Sequence, residues 1–149
     1  MFDLLIKNCM PYGMSGCMDI AIKEGRIVQI EKNISCEAAN ECIDAANCFI
    51  APGFVDSHMH WDKAFTMDTA ESCNLDEAIR RFQDYCNALT KEDLKRDIKG
   101  RAMRLARSAV ANGTTSARSH ANLDDTTGMA CVEALNELKQ ELKDVIRLQ

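Results

Sequence analysis

Residues 52–63 read Pro52-Gly53-Phe54-Val55-Asp56-Ser57-His58-Met59-His60-Trp61-Asp62-Lys63. A mostly apolar run, Phe49 to Val55, leads into two histidines two positions apart. In a strand, residues i and i+2 point to the same face. His58 and His60 therefore leave the end of one strand on one side. That geometry suits two ligands on one divalent ion, and imidazole is a good donor to Zn, Fe, Ni or Cu. A bare His-x-His also arises from packing alone, so the pair gains weight only from its surroundings.

Downstream of His60 the hydrophobic period changes. Asn74 with Glu77 three residues later forms a capping-box pattern and opens a helix to about Ala88. Thr90 with Asp93 opens a second, which runs to about Ala111 and stops at Asn112-Gly113. Ala102, Leu105, Ala106, Ala109 and Val110 give it a small and apolar side that can pack on a sheet. Thr114 to His120 reads as a strand. Thr127 to Asp144 reads as a third helix, with Val132, Leu135, Leu138 and Leu142 at helical spacing, and Val145 to Gln149 begins another strand. Such alternation predicts parallel strands joined by right-handed crossovers.

Upstream, Phe2 to Asn8 reads as a strand, and Met18 to Lys23 and Arg26 to Glu31 alternate around a Glu24-Gly25 turn as a hairpin. Cys42 to Asp44 and Cys48 to Ile50 add short strands. Residues 1–51 thus read as a small antiparallel β-module and residues 52–149 as a second, α/β domain.

The net charge of −5 and pI near 5.2 give no footprint for nucleic acid or an anionic membrane. No apolar run approaches the roughly 18 residues of a membrane span. The eight cysteines, at 9, 17, 36, 42, 48, 73, 86 and 131, contain no Cys-x-x-Cys, which removes the zinc-finger and thioredoxin spacings. Cys9, Cys17, Cys36, Cys42 and Cys48 fall among strand-like runs and read as small hydrophobes. Residues 1–15 lack the pattern of a secretory leader. The expectation is a reduced, cytoplasmic protein.

The stretch Ala51 to His60 resembles the first-strand signature of the amidohydrolase superfamily. Its continuation, Trp61-Asp62-Lys63-Ala64-Phe65, resembles the cytosine deaminase branch, which includes the N-isopropylammelide amidohydrolases. A second block, Asn112-Gly113-Thr114-Thr115-Ser116-Ala117-Arg118-Ser119-His120-Ala121-Asn122, resembles that branch's second strand, with Asn122 where Asp is usual. The resemblance implies the N-terminal part of a (β/α)₈ TIM barrel preceded by a small β-module. A barrel needs about 250 residues, so 149 residues imply an unclosed barrel and an incomplete module. An open sheet edge then predicts a marginally stable or aggregation-prone chain.

The resemblance also implies hydrolysis of non-peptide C–N bonds in cyclic amidines or amides by metal-activated water, with Fe or Zn as cofactor. It makes His58 and His60 the metal ligands. Trp61, Asp62, Lys63 and His120 are expected to face the substrate or to support the ligands from behind, each against a plain structural alternative. Asp56 is a candidate hydrogen-bond support, and Arg118 is expected either against a carboxylate or at the pocket. The remaining ligands and the catalytic residues are expected beyond residue 149, so this chain alone is expected to be inactive. The implied partners are a small heterocyclic substrate and either further copies of the chain or a complementing C-terminal chain. The alternative is a truncated, non-catalytic relic or a partner-binding module.

Overall fold

The computed structural model describes residues 1–46, 48–66 and 74–149; Cys73 lies outside them. The chain forms two compact units, residues 1–52 and 53–149.

In the first unit, β1 (Phe2–Pro11), β2 (Met18–Lys23), β3 (Arg26–Glu31) and β4 (Ala39–Asp44) lie in the order β3-β2-β1-β4, and β5 (Phe49–Ile50) pairs with the end of β1. The β2–β3 hairpin turns at Glu24 and Gly25, both at positive φ (52° and 69°), as a tight turn matching strand twist requires. The expected antiparallel module is instead a mixed sheet: β4 and β5 run parallel to β1, with Leu5 opposite Cys42 and Met10 opposite Phe49. The cause is the connection after β3. A single turn of 3₁₀ helix at Cys36–Ala38, capped by Ser35, returns the chain to the far side of β1. β4 therefore enters in β1's own direction.

Successive β2 residues serve opposite faces. Ala21 packs with Leu5 and Ile34, and Ile20 with Cys9 and Ala45. Between them Asp19 is almost fully buried. Its carboxylate accepts the backbone N–H of Asn8 and of Ile34, each at 2.9 Å, and pairs with the Lys7 ammonium at 2.9 Å. Burial pushes this carboxyl upward, but those donors outweigh it and hold it below the ordinary range. Asn8, at φ 57°, sits where the β1–β2 register shifts, so the carboxylate serves the N–H that the bulge frees.

The cysteine expectations need correction. Cys9 is buried, but Cys17 and Cys48 are exposed, and Cys36 and Cys42, both exposed, form a disulfide. Pattern placed these residues on strands, yet only Cys9 falls on a face that its neighbours cover.

In the second unit, among the described residues, β6 (Phe54–Met59), β7 (Thr114–Ser119) and β8 (Arg147–Leu148) form a parallel sheet in the order β6-β7-β8. The sheet is not closed. Helices α1 (Leu75–Asn87), α2 (Lys91–Ala111) and α3 (Ala130–Glu141) complete it. Both predicted caps form: Asn74 accepts from the Glu77 N–H at 2.9 Å, and Thr90 from the Asp93 N–H at 3.1 Å. α2 ends at Gly113, whose φ of 87° L-residues resist. α3 starts at Ala130, not Thr127. The preceding turn is held by the Asp124 carboxylate, which accepts the Thr127 N–H at 2.8 Å, and Gly128 stands at φ 52°.

Leu94, Ile98, Ala102 and Ala106, four apart, form the buried stripe of α2. The first two pack with Phe82, Cys86, Cys131 and Ala134. The last two pack with Trp61, Ala117, Leu135 and Leu138. A fully buried leucine such as Leu138 contributes about 2 kcal/mol through its apolar surface. Gly53 lets β6 approach β7: a Cβ there would lie 2.2 Å from Thr115 Cγ2.

Candidate metal and substrate site at the ends of β6 and β7

β6 delivers His58, and His60 follows it directly at the head of a 3₁₀ turn, Trp61–Lys63. β7 runs parallel to β6, so its end brings His120 to the same place. The His120 N–H donates to the Met59 carbonyl at 2.9 Å, which pins the two exits together. The His58 and His120 ring centroids are 4.1 Å apart, His60 and His120 5.5 Å, and His58 and His60 5.8 Å. All three histidines are exposed. The sequence blocks thus converge on a triad of imidazoles at one end of the sheet. Burial, and then the Lys63 ammonium, lower the pKa of His60 below its ordinary value despite the Asp62 charge. His60 is therefore neutral at pH 7 and has a lone pair to offer.

The residues after His60 turn inward. Trp61 is buried in the core beside α2 and α3, and its backbone N–H donates to Ser119 Oγ at 3.1 Å. Asp62 is fully buried; its Oδ2 accepts the Asn122 backbone N–H at 2.6 Å. Asp62 Oδ1 lies 3.8 Å from His60 Nδ1. Cys131 lies by the same carboxylate: burial first, then the Asp62 charge, push its thiol up to about 12. Lys63 remains half-exposed, with its ammonium 5.1 Å from the Phe82 ring centre. His60, Lys63, Thr66, Leu75, Ile79 and Phe82 surround a cavity of about 260 Å³.

Among the described residues Arg118 forms no ion pair with a carboxylate. It is exposed, donates to Gln149 Oε1 at 3.1 Å, and lines a larger hollow of about 350 Å³ with Asp56 and Arg147. No histidine lines that hollow, so its size does not make it the chemical site. Asp56 accepts the His58 N–H at 3.3 Å.

Sequence reasoning missed Arg101. From α2 its guanidinium donates to the carbonyls of Asp62 (2.8 Å) and Ala64 (2.6 Å) and to Asp97 (2.8 Å), and Asp97 also accepts from Tyr85. It fixes the turn that carries His60 away from the strand. Its targets are backbone carbonyls nearly 40 residues distant, which leave no local pattern.

The donor chemistry fits a divalent ion in part. Two exposed imidazoles leave one strand end together, one of them held neutral. However, among the described residues no group of three or more His, Cys, Asp or Glu is arranged to hold a metal. A zinc site ordinarily draws three protein ligands.

Residues 41–143 match the amidohydrolase family. The chain is 36% identical over 156 aligned positions to an N-isopropylammelide isopropyl amidohydrolase of Pseudomonas sp. (strain ADP), covering 99% of this chain and 37% of that one. This chain belongs to the amidohydrolase family. The chain superposes on 5-methylcytosine deaminase from Klebsiella pneumoniae with a TM-score of 0.81 at 27% identity, covering 97% of this chain and 35% of that one. An atrazine chlorohydrolase from Arthrobacter aurescens, complexed with zinc, shares the fold, with a TM-score of 0.76 at 18% identity, over 97% of this amidohydrolase and 34% of that chain. The chain thus spans little more than a third of these relatives and matches the N-terminal portion of their barrels.

Proposed function

We propose that this chain is the histidine-bearing N-terminal part of a metal-dependent amidohydrolase. Its reaction is hydrolysis of a non-peptide C–N bond in a cyclic amidine or amide, as in cytosine deaminase. The observation that carries this reading is the convergence of His58, His60 and His120 where two parallel strands end. His58 and His60 hold the divalent ion, iron or zinc, with Asp56 steadying the strand end through the His58 N–H. Such an ion, when bound, supplies Lewis acidity that brings water's pKa towards 7.

The chain's own residues bind and orient. Lys63 lines the cavity and offers N–H donors to a polar heterocycle, while Leu75, Ile79 and Phe82 supply an apolar wall and His120 stands beside His58 and His60. Trp61 packs beneath them and keeps the turn dry. The proton-moving groups and remaining ligands belong to the other two-thirds of the protein, so residues 53–149 act as the opening strands of its barrel and residues 1–52 as part of a flanking β-module. The site works in the cytoplasm, completed by that missing portion in the same or a second polypeptide. The alternative, a non-catalytic partner-binding module, draws on the incomplete ligand set and on the bare apolar residues Phe54 and Val55 of β6.

The test assays release of ammonia or alkylamine from cytosine and from an N-alkylated aminotriazine with Fe²⁺ or Zn²⁺. The 149-residue chain is compared with the same chain joined to whatever is encoded after Gln149. Turnover by the joined protein only, abolished by H58A or H60A, is the expected result. Robust turnover by the 149 residues alone would overturn the claim that the site is incomplete. Failure of both, with no metal binding, favours the binding module.

A further inference from the structure

Asp62 has no exposed surface, and its two carboxylate oxygens have different fates. Oδ2 receives the Asn122 N–H at 2.6 Å, whereas Oδ1 has no N–H or O–H donor among the described residues, with the weak Cys131 thiol as the carboxylate's other polar neighbour. A buried, unpaired carboxylate oxygen is costly to keep. The turn is nevertheless locked in the position that strands it. Ser119 Oγ accepts the Trp61 backbone N–H, and the Arg101 guanidinium donates to the Asp62 and Ala64 carbonyls. The ring nitrogen His60 Nδ1 stands 3.8 Å from the stranded oxygen.

We propose that Asp62 is a positioning residue for His60: its fixed carboxylate selects the imidazole tautomer protonated at Nδ1 and leaves the Nε2 lone pair for the site. A neutral imidazole carries one N–H and one lone pair. An ionised carboxylate only accepts. With the proton on Nδ1 the two groups attract; with the proton on Nε2 a lone pair faces an anion in a buried setting. A carboxylate or carbonyl behind a ligating histidine commonly sets its tautomer in this way. Through Asn122, the same carboxylate ties the loop after β7 to the turn after β6, so His60 and the His120 exit share one anchor. The contact uses the backbone of Asn122, so a change of side chain at that position leaves it intact. The inference rests on the proposed metal site only for what Nε2 meets; the tautomer itself belongs to the metal-free chain.

The test records long-range ¹H–¹⁵N spectra of the metal-free 149-residue chain with ¹⁵N-labelled histidine, at a pH where the imidazoles are neutral. His60 is expected as the Nδ1–H form. In Asp62→Asn the amide oxygen can still accept from Asn122, and the NH₂ then turns towards His60. His60 should invert to the Nε2–H form, while the melting temperature and the Asn122 amide resonance stay close to native. An Nε2–H form in the native chain, or an unchanged tautomer in folded D62N, overturns the proposal. If D62N does not fold, the native spectrum alone decides. Zinc titration of the chain joined to whatever is encoded after Gln149 separates the two readings: there D62N should bind Zn²⁺ about tenfold more weakly. A native Nδ1–H tautomer in a joined protein that has no Zn²⁺ affinity refutes the metal site and leaves the role of Asp62 standing.

Discussion

β6 and β7 are neighbouring strands of six residues each, and they differ in what covers them. β7 carries the buried Ala117 against a cluster built by α2, α3 and β8. β6 has five of its six residues exposed, with Phe54 at 69% and Val55 at 68%. Yet β6 is the strand that delivers His58 and His60. The helices place their buried stripes against Ala117 of β7, Leu148 of β8 and Trp61, and the cluster takes in no residue of β6. The strand with the most chemistry has here the least cover.

That contrast can be broken from its covered side first. Leu138→Ala removes a fully buried side chain from the cluster beneath β7 and should cost about 3 kcal/mol in urea unfolding. An effect under ~1 kcal/mol would show that β7 is no better supported than β6. Gly53→Ala attacks the joint between the strands. The added methyl meets Thr115 at 2.2 Å from Cγ2 and 2.8 Å from Cβ, and displacing it should cost about 2 kcal/mol. The accompanying sign is loss of hydrogen-exchange protection at the β6–β7 ladder.

A smaller effect should appear in acid. The Thr127 N–H, with help from the Asn122 amide and against burial, holds Asp124 at about 2. A carboxyl lower in the folded chain than its unfolded value near ~3.9 stabilises above that value, and the contribution is lost as pH falls towards 2. Asp124→Asn should therefore flatten the acid limb of stability between about pH 4 and pH 2 and leave the neutral limb's slope unchanged. An unaltered acid limb would show that the turn before α3 does not depend on that charge. Smallest of all, Val55→Ala on bare β6 should shift stability by less than ~0.5 kcal/mol in this chain. In the chain joined to the rest of the barrel the same change should cost several times more, because the residue then has neighbours. Equal costs in both settings would contradict the account of β6 as a strand awaiting cover.

What the sequence revealed tracks how local each cause is. Asn74, Thr90 and Gly113 announce helix ends because a cap acts within three residues. The strand-end histidines are legible because period-two geometry needs only the strand itself. The parallel entry of β4 was not legible, since direction depends on a crossover and not on any pattern within Ala39–Asp44. The late start of α3 hid in a side-chain turn at Asp124 that mimics a helical opening. Alternation could not say which faces the first sheet would cover, so Cys17 and Cys48 read as buried when they are not. The burial of Asp62 and the grip of Arg101 were invisible for the same reason: their partners lie 37 to 60 residues away.

The stripe along α2 shrinks from Leu94 and Ile98 to Ala102 and Ala106, and the smallest members share their cluster with the largest side chain of the core, Trp61. Volume subtracted from the helix is volume lent to the indole, which immediately follows His60. Enlarging either alanine presses on the cluster that holds the tryptophan and the turn it begins. The direction in which the His60 imidazole leaves its strand is thus coupled to two methyl groups on a helix.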